Sequence, residues 1–185
     1  GLQVSGVASA NVGIISYTRD SASAILQDTI NLCYSSGLFP DPEATIRGFT
    51  EWRGDDSISR LGIHTRLAQS IRGWSFRAVL LDELSLFPKA SVGELMSCLA
   101  DSVDPVRGKI VAASTPVTDE EALWPRFFKH SDPQAMVAQI PTWEVQESGF
   151  DLASLAGIDI PTFLCDYGAQ FFERRSVLVP RTLPE

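Results

Sequence analysis

The sequence predicts an α/β protein with a mostly parallel sheet flanked by helices, and three observations carry that expectation. Short apolar runs without polar alternation recur in "NVGIISYT", "FRAVLL" and "GKIVAAS", as in strands covered on both faces. Segments with helical spacing and capping residues stand between or after them. Turns rich in Gly, Pro, Asp and Ser separate the two kinds of segment. Strand and helix in alternation give a parallel sheet with right-handed crossovers.

Taken in order, residues 11–18 read as the first buried strand. "RDSASAILQDTINLCYSS" follows as a helix capped by Asp20 or Ser21, with an apolar face of Ala24, Ile25, Ile30 and Leu32. Gly37 and the prolines of "FPDPE" stop it. Residues 44–68 mix Ile, Thr, Phe and Trp around a Gly-Asp-Asp turn, which reads as a β-hairpin or two irregular strands. An Arg-Gly turn leads into a strand over 76–81, then a helix over 91–102 closed by Asp104-Pro105. "GKIVAASTP" is a further buried strand leaving into a Ser-Thr-Pro turn, so residues 76–114 make one βαβ unit. "TDEEALWPRFFKH" predicts a helix capped by Thr118 or Asp119 and kinked at Pro125. "QAMVAQIP" predicts a strand, and the tail carries a short helix.

Composition narrows the class. With 185 residues, 44% apolar and 21% charged, the chain suits an ordinary globular domain. No apolar run has the length of a membrane span, so no membrane partner is expected. The first residue is Gly, not Met, and the expectation is a trimmed or processed end. A net charge of −8 argues against a broad basic surface. Arg47, Arg53, Arg60, Arg66, Arg72 and Arg77 make residues 47–77 locally basic, read as solvated strand and loop faces. Cys33, Cys98 and Cys165, odd in number and far apart, fit reduced thiols, and with His64 and His130 they lack zinc spacing. Trp52, Trp74, Trp124 and Trp143 fall on different elements, which suits packing anchors better than a base-stacking platform.

The chemistry sits at two strand ends. In open α/β sheets ligands bind beyond the carboxyl ends of the strands. Asp82-Glu83 ends one apolar run, and Ser114-Thr115-Pro116 ends the next. Adjacent carboxylates repel each other and lose hydration if idle. A magnesium–nucleotide complex resolves this, the first acid holding Mg²⁺ through water and the second polarising the attacking water, a Walker B pattern. On these residues alone, Asp82 capping the next turn with a solvated Glu83 is equally compatible. A carboxylate–metal hydrolase centred on Asp82 is the remaining chemistry, with Asp55, Asp56 and Asp101 as further acids by composition only.

The ordered set is more specific than its parts. "RGWSFRAVLLDELSLFP" followed by "GKIVAASTPVTDEEALWPRFFKH" resembles the ATPase domain of phage terminase large subunits, the DNA-packaging motors. "VGIISYTRDSASAILQDTI" resembles the strand and helix after that family's P-loop helix, and "QIPTWEV" its strand after the aromatic-rich helix. "IPTFLCDYGAQFFE" resembles the segment leading toward the nuclease domain, so the resemblance spans nearly the whole chain.

It implies a P-loop NTPase-like fold of the RecA/ASCE type, with residues 1–150 a partial ATPase core and 151–185 the segment leading out of it. It implies ATP and Mg²⁺ as cofactors, Asp82 as the Mg²⁺-associated acid through water, and Glu83 as general base. Ser114 and Thr115 would form the coupling motif that senses the γ-phosphate. Their plain alternative is an ordinary turn whose hydroxyls bond their own backbone. Arg72, beside the turn-forming Gly73, would reach a neighbouring subunit's ATP as an arginine finger, or else simply pair with a nearby carboxylate. The implied partners are double-stranded DNA, the portal protein, the terminase small subunit and copies of itself in a ring on the procapsid, in the cytoplasm of an infected bacterial host.

Nothing in the sequence matches G-x-x-x-x-G-K-[ST], so the expected fold lacks its Walker A segment, and the chain alone is expected to bind and hydrolyse ATP poorly. A DExx-box helicase fragment, or a non-catalytic assembly module derived from such an ATPase, are the alternative readings.

Overall fold

The computed structural model describes residues 10–37, 44–46, 48–53, 58–64, 68–116, 136–145 and 157–170. Six strands form one sheet in the order β2-β3-β4-β1-β5-β6. β1 (Asn11–Ile15), β4 (Ile58–His64), β5 (Ala78–Asp82) and β6 (Lys109–Ala113) run parallel. β2 (Ala44–Ile46) and β3 (Phe49–Arg53) add an antiparallel flank to β4. α1 (Arg19–Ser36) follows β1, and α2 (Lys89–Ser102) joins β5 to β6. The fold is thus the expected one, a mostly parallel α/β sheet flanked by helices. The region over 44–68 holds the expected hairpin as β3–β4, lengthened by β2, and β4 then joins the parallel set beside β1.

α1 is capped by Thr18 rather than by Asp20 or Ser21. Thr18 keeps extended backbone, and its hydroxyl accepts the Ser21 N–H at 3.1 Å. Asp20 instead occupies the first turn, where a carboxylate meets the positive end of the helix. Gly37, at φ 62, ends the helix in the left-handed region as its position predicts. The buried row is Ala22, Leu26 and Ile30, four residues apart, packed with Ile14 and Leu61 and flanked by Val12, Ile25, Trp52 and Ile63. Ala24 and Leu32 are exposed, contrary to the sequence reading. Leu32 lies about 200° around the helix from Ile30, the wrong side of a 3.6-residue turn.

A second group of residues, Ile15, Ile71, Phe76, Val79, Leu81, Leu95 and Leu99, is buried almost completely. Phe49, Trp74 and Phe76 lie in a near-parallel stack, with centroids 5.3 and 6.0 Å apart, and the His64 ring meets all three edge-on. Two strand glycines make room for it. A Cβ at Gly62 would come within 2.2 Å of the Phe49 ring, and one at Gly13 within 3.0 Å of Phe76.

Burial pushes the His64 pKa below its ordinary 6.5, opposed in part by a bond to the Ser70 carbonyl. An unfolded His64 takes up its proton at higher pH than the folded one, so its contribution is complete above 6.5 and lost as pH falls below that value. Urea midpoints measured from about pH 8 down to about pH 5 should decline on this limb, and the decline should flatten in His64→Gln.

β6 departs from expectation. Its apolar run reads as buried, yet Ile110 is 41% and Val111 56% exposed. Among the described residues β6 pairs only with β5, so it is an edge strand there. Residues 136–140 are irregular rather than a strand, and Met136, Val137 and Ile140 are exposed. Among the described residues no strand pairs with them. A helical turn, α3 (Thr142–Val145), follows where the resemblance implies a strand, and α4 (Ile160–Asp166) is the expected short tail helix, capped by Asp159. The helix expected over 118–130 lies outside the described residues.

The chain divides into two compact units, Gly1–Ser114 and Thr115–Glu185. In the second, Phe163 stacks on Trp143 and Tyr167, and the Thr142 N–H bonds the Tyr167 carbonyl at 2.8 Å. Among the described residues no helix is long and apolar enough to cross a membrane. The three cysteines are free.

Candidate functional site

Parallel pairing fixes which strand ends meet. Ile15 lies beside Leu81 and Asp82 beside Ala113, which brings the carboxyl ends of β1, β5 and β6 to one edge of the sheet. One step beyond the β1 register, the buried Ser16 hydroxyl donates to Asp82 Oδ2 at 2.7 Å. Among the described residues, Oδ1 of the half-buried Asp82 receives no hydrogen bond.

Glu83 turns the chain sharply out of β5. It sits in the left-handed region at φ 53, ψ 45, a conformation that costs a residue with a side chain about 1–2 kcal/mol. The turn leads into a 3-10 segment, Leu84–Leu86, anchored by buried Leu84. Here the Ser85 N–H donates to Ser114 Oγ at 2.9 Å, and the Ser114 hydroxyl donates to Ser85 Oγ at 2.6 Å. Ser114, at the end of β6, is thereby tied to the turn that presents Asp82 and Glu83. Thr115 follows it, half-buried.

Arg72 is placed elsewhere. Its turn is closed by Gly73 at φ 84 and by the Trp74 N–H bond to the Ile71 carbonyl. The guanidinium donates to Glu94 of α2 at 3.1 Å, not to Asp82 or Glu83. Both partners of that ion pair are more than half exposed, so it is worth about 0–1 kcal/mol.

The other described arginines of the basic stretch are also paired. Arg60 and Arg53 flank Glu51, whose carboxyl lies below its ordinary value chiefly through the Arg60 hydrogen bond. Arg77 pairs with Asp104, whose carboxyl is lowered first by the Val106 and Arg107 backbone N–H groups. Arg47, Arg66, Asp55 and Asp56 lie outside the described residues, and Asp101 is exposed on α2.

Among the described residues no three His, Cys, Asp or Glu side chains gather to hold a metal ion. A single carboxylate, with one oxygen engaged and the other not, suits Mg²⁺, which keeps most of its waters and takes its remaining ligands from phosphate. The sequence reading named Asp82, Glu83 and Ser114 but not Ser16, whose hydroxyl bonds Asp82, nor Ser85, which bonds Ser114.

Neither a family model nor a curated protein matches this sequence. Solved structures do match. The ATPase domain of the large terminase of Thermus phage P74-26 is similar at a TM-score of 0.65 and 17% identity, over 89% of this chain and 78% of that one. A point mutant of the same domain gives 0.63 at 16% identity over the same shares. The large terminase of a thermophilic bacteriophage in complex with ADP is similar at 0.42 and 12% identity, and this chain spans only 27% of its length. The first two establish the fold.

Proposed function

We propose that this chain is part of the ATPase domain of a terminase large subunit, a motor that couples ATP hydrolysis to movement of double-stranded DNA into a procapsid. The observation that carries the reading is the meeting of Asp82, Glu83 and Ser114 at the carboxyl edge of a parallel sheet of this fold. Asp82 would hold the nucleotide's Mg²⁺ through water, and such an ion would supply neutralisation of the phosphate charge. Glu83 accepts the proton of the attacking water. Ser114, bonded to the turn behind Glu83, and Thr115 next to it carry the state of the γ-phosphate into the chain beyond β6. Arg72, exposed and weakly held, serves a neighbouring subunit's ATP.

In this reading residues 1–150 belong to the ATPase core and residues 151–185 are the segment that leads out of it. The portal protein, the small subunit and further copies in a ring are its partners, in the cytoplasm of an infected bacterium. ATP hydrolysis by the full-length protein should rise several-fold with linear duplex DNA and respond little to single strands. Stimulation by single strands instead would favour a DExx-box helicase, and no hydrolysis under either condition would favour a non-catalytic assembly module.

A further inference from the structure

The Ser16 hydroxyl lies 2.7 Å from Asp82 Oδ2, within the short range of a hydroxyl bonded to an ionised carboxylate. Its base is rigid. Ser16 is 3% exposed, and it directly follows Ile14 and Ile15, which are 1% and 0% exposed at the end of a strand hydrogen-bonded on both sides by β4 and β5. Asp82 is less constrained, since it is half-buried at the last position of β5. Without a partner its carboxylate would turn about the Cβ–Cγ bond, whose preferences are broad. Hydrogen bonding of one oxygen removes that freedom and leaves the other oxygen in a fixed place.

We propose that Ser16 is a positioning residue for Asp82, fixing one carboxylate oxygen so that the other is presented to a divalent cation. The inference rests on the reading of Asp82 as the cation-associated acid. It assigns Ser16 a role through Asp82, with no contact to nucleotide or metal of its own. The competing account is that the bond merely satisfies a buried hydroxyl. In that case alanine, which fits the same space and needs no partner, would serve as well at the site.

Mn²⁺ alone, titrated into the isotope-labelled chain, tests this by paramagnetic broadening of amide resonances, a readout that also detects weak occupancy. Broadening should centre on Asp82 and its neighbours across β1 and β6, and it should disappear in Asp82→Asn. Ser16→Ala should need about ten-fold more Mn²⁺ for equal broadening, as for the loss of other groups that orient a metal ligand. Ser16→Thr, which keeps the hydroxyl, should stay near the wild type, and thermal melting of each variant identifies any effect of folding.

Broadening that is lost in Asp82→Asn but unchanged in Ser16→Ala overturns the role of Ser16 and leaves the reading of Asp82 standing. A folded Ser16→Thr as weak as Ser16→Ala also overturns it, because the effect then lies in packing and not in the hydroxyl. Absence of local broadening in the wild type, or its persistence in Asp82→Asn, removes the reading of Asp82 and the inference with it.

Discussion

Phe76→Ala is expected to destabilise the chain by about 3–5 kcal/mol, a large part of the 5–15 kcal/mol that holds a typical domain folded. The Phe76 ring is 1% exposed, stacked 6.0 Å from Trp74 and met edge-on by His64 at 5.1 Å. It also lies within 3.0 Å of where a Cβ of Gly13 would be, so the strand beneath has no side chain to move into the space it vacates. The cavity would therefore persist, which is the condition for the upper part of the range.

The Phe76 backbone is bonded at both ends, its N–H to the Ser102 carbonyl and its carbonyl to the Asp104 N–H. Alanine keeps those bonds, so the loss reports packing alone. A urea titration should show the midpoint falling with little change in slope. Phe76→Leu should cost much less, about 1.5 kcal/mol, because it refills most of the volume. A loss below about 1 kcal/mol for alanine would mean that the aromatic stack lies outside the cooperative core.

The same residues show what could be read without coordinates. Periodicity gave β1, β5, α2 and the βαβ unit, because a buried strand and an amphipathic helix are written in consecutive residues. The adjacent acids and the Ser-Thr pair were legible for a related reason, since their placement at strand ends needs only the local pattern. What it does not record is neighbourhood. Ser16 matters only because β1 lies beside β5, a pairing across 66 positions, and Ser85 only because β6 returns to the turn across 29.

The exposure of β6 has the same origin, since an apolar run looks alike whether one or two strands flank it. Leu32 misled because it is apolar and helical but two residues out of phase with the buried row. For Arg72 the sequence left a finger and an ion pair level. The chain supplies the pair with Glu94, which is weak enough to leave the other role open to a neighbour.

At Glu83 stability and turnover are expected to move in opposite directions. The residue sits at φ 53, where glycine or asparagine is the usual occupant and a longer side chain is strained. Glu83→Gly relieves that strain but gives the unfolded chain more freedom, and the balance should leave the protein about as stable or up to about 1 kcal/mol more stable. Glu83→Gln keeps the strain and should leave stability unchanged.

In the full-length protein both substitutions should lower steady-state ATP hydrolysis by about 10²–10⁴-fold, the scale of losing a general base. Thermal melting and phosphate release, measured on the same preparations, separate the two effects. If Glu83→Gly melts well below the wild type, the carboxylate is a structural tie in the turn. If Glu83→Gln hydrolyses ATP at the wild-type rate, the base lies elsewhere. A variant that is at least as stable and nearly inactive is the signature of a residue held at a cost to the fold for the chemistry it performs.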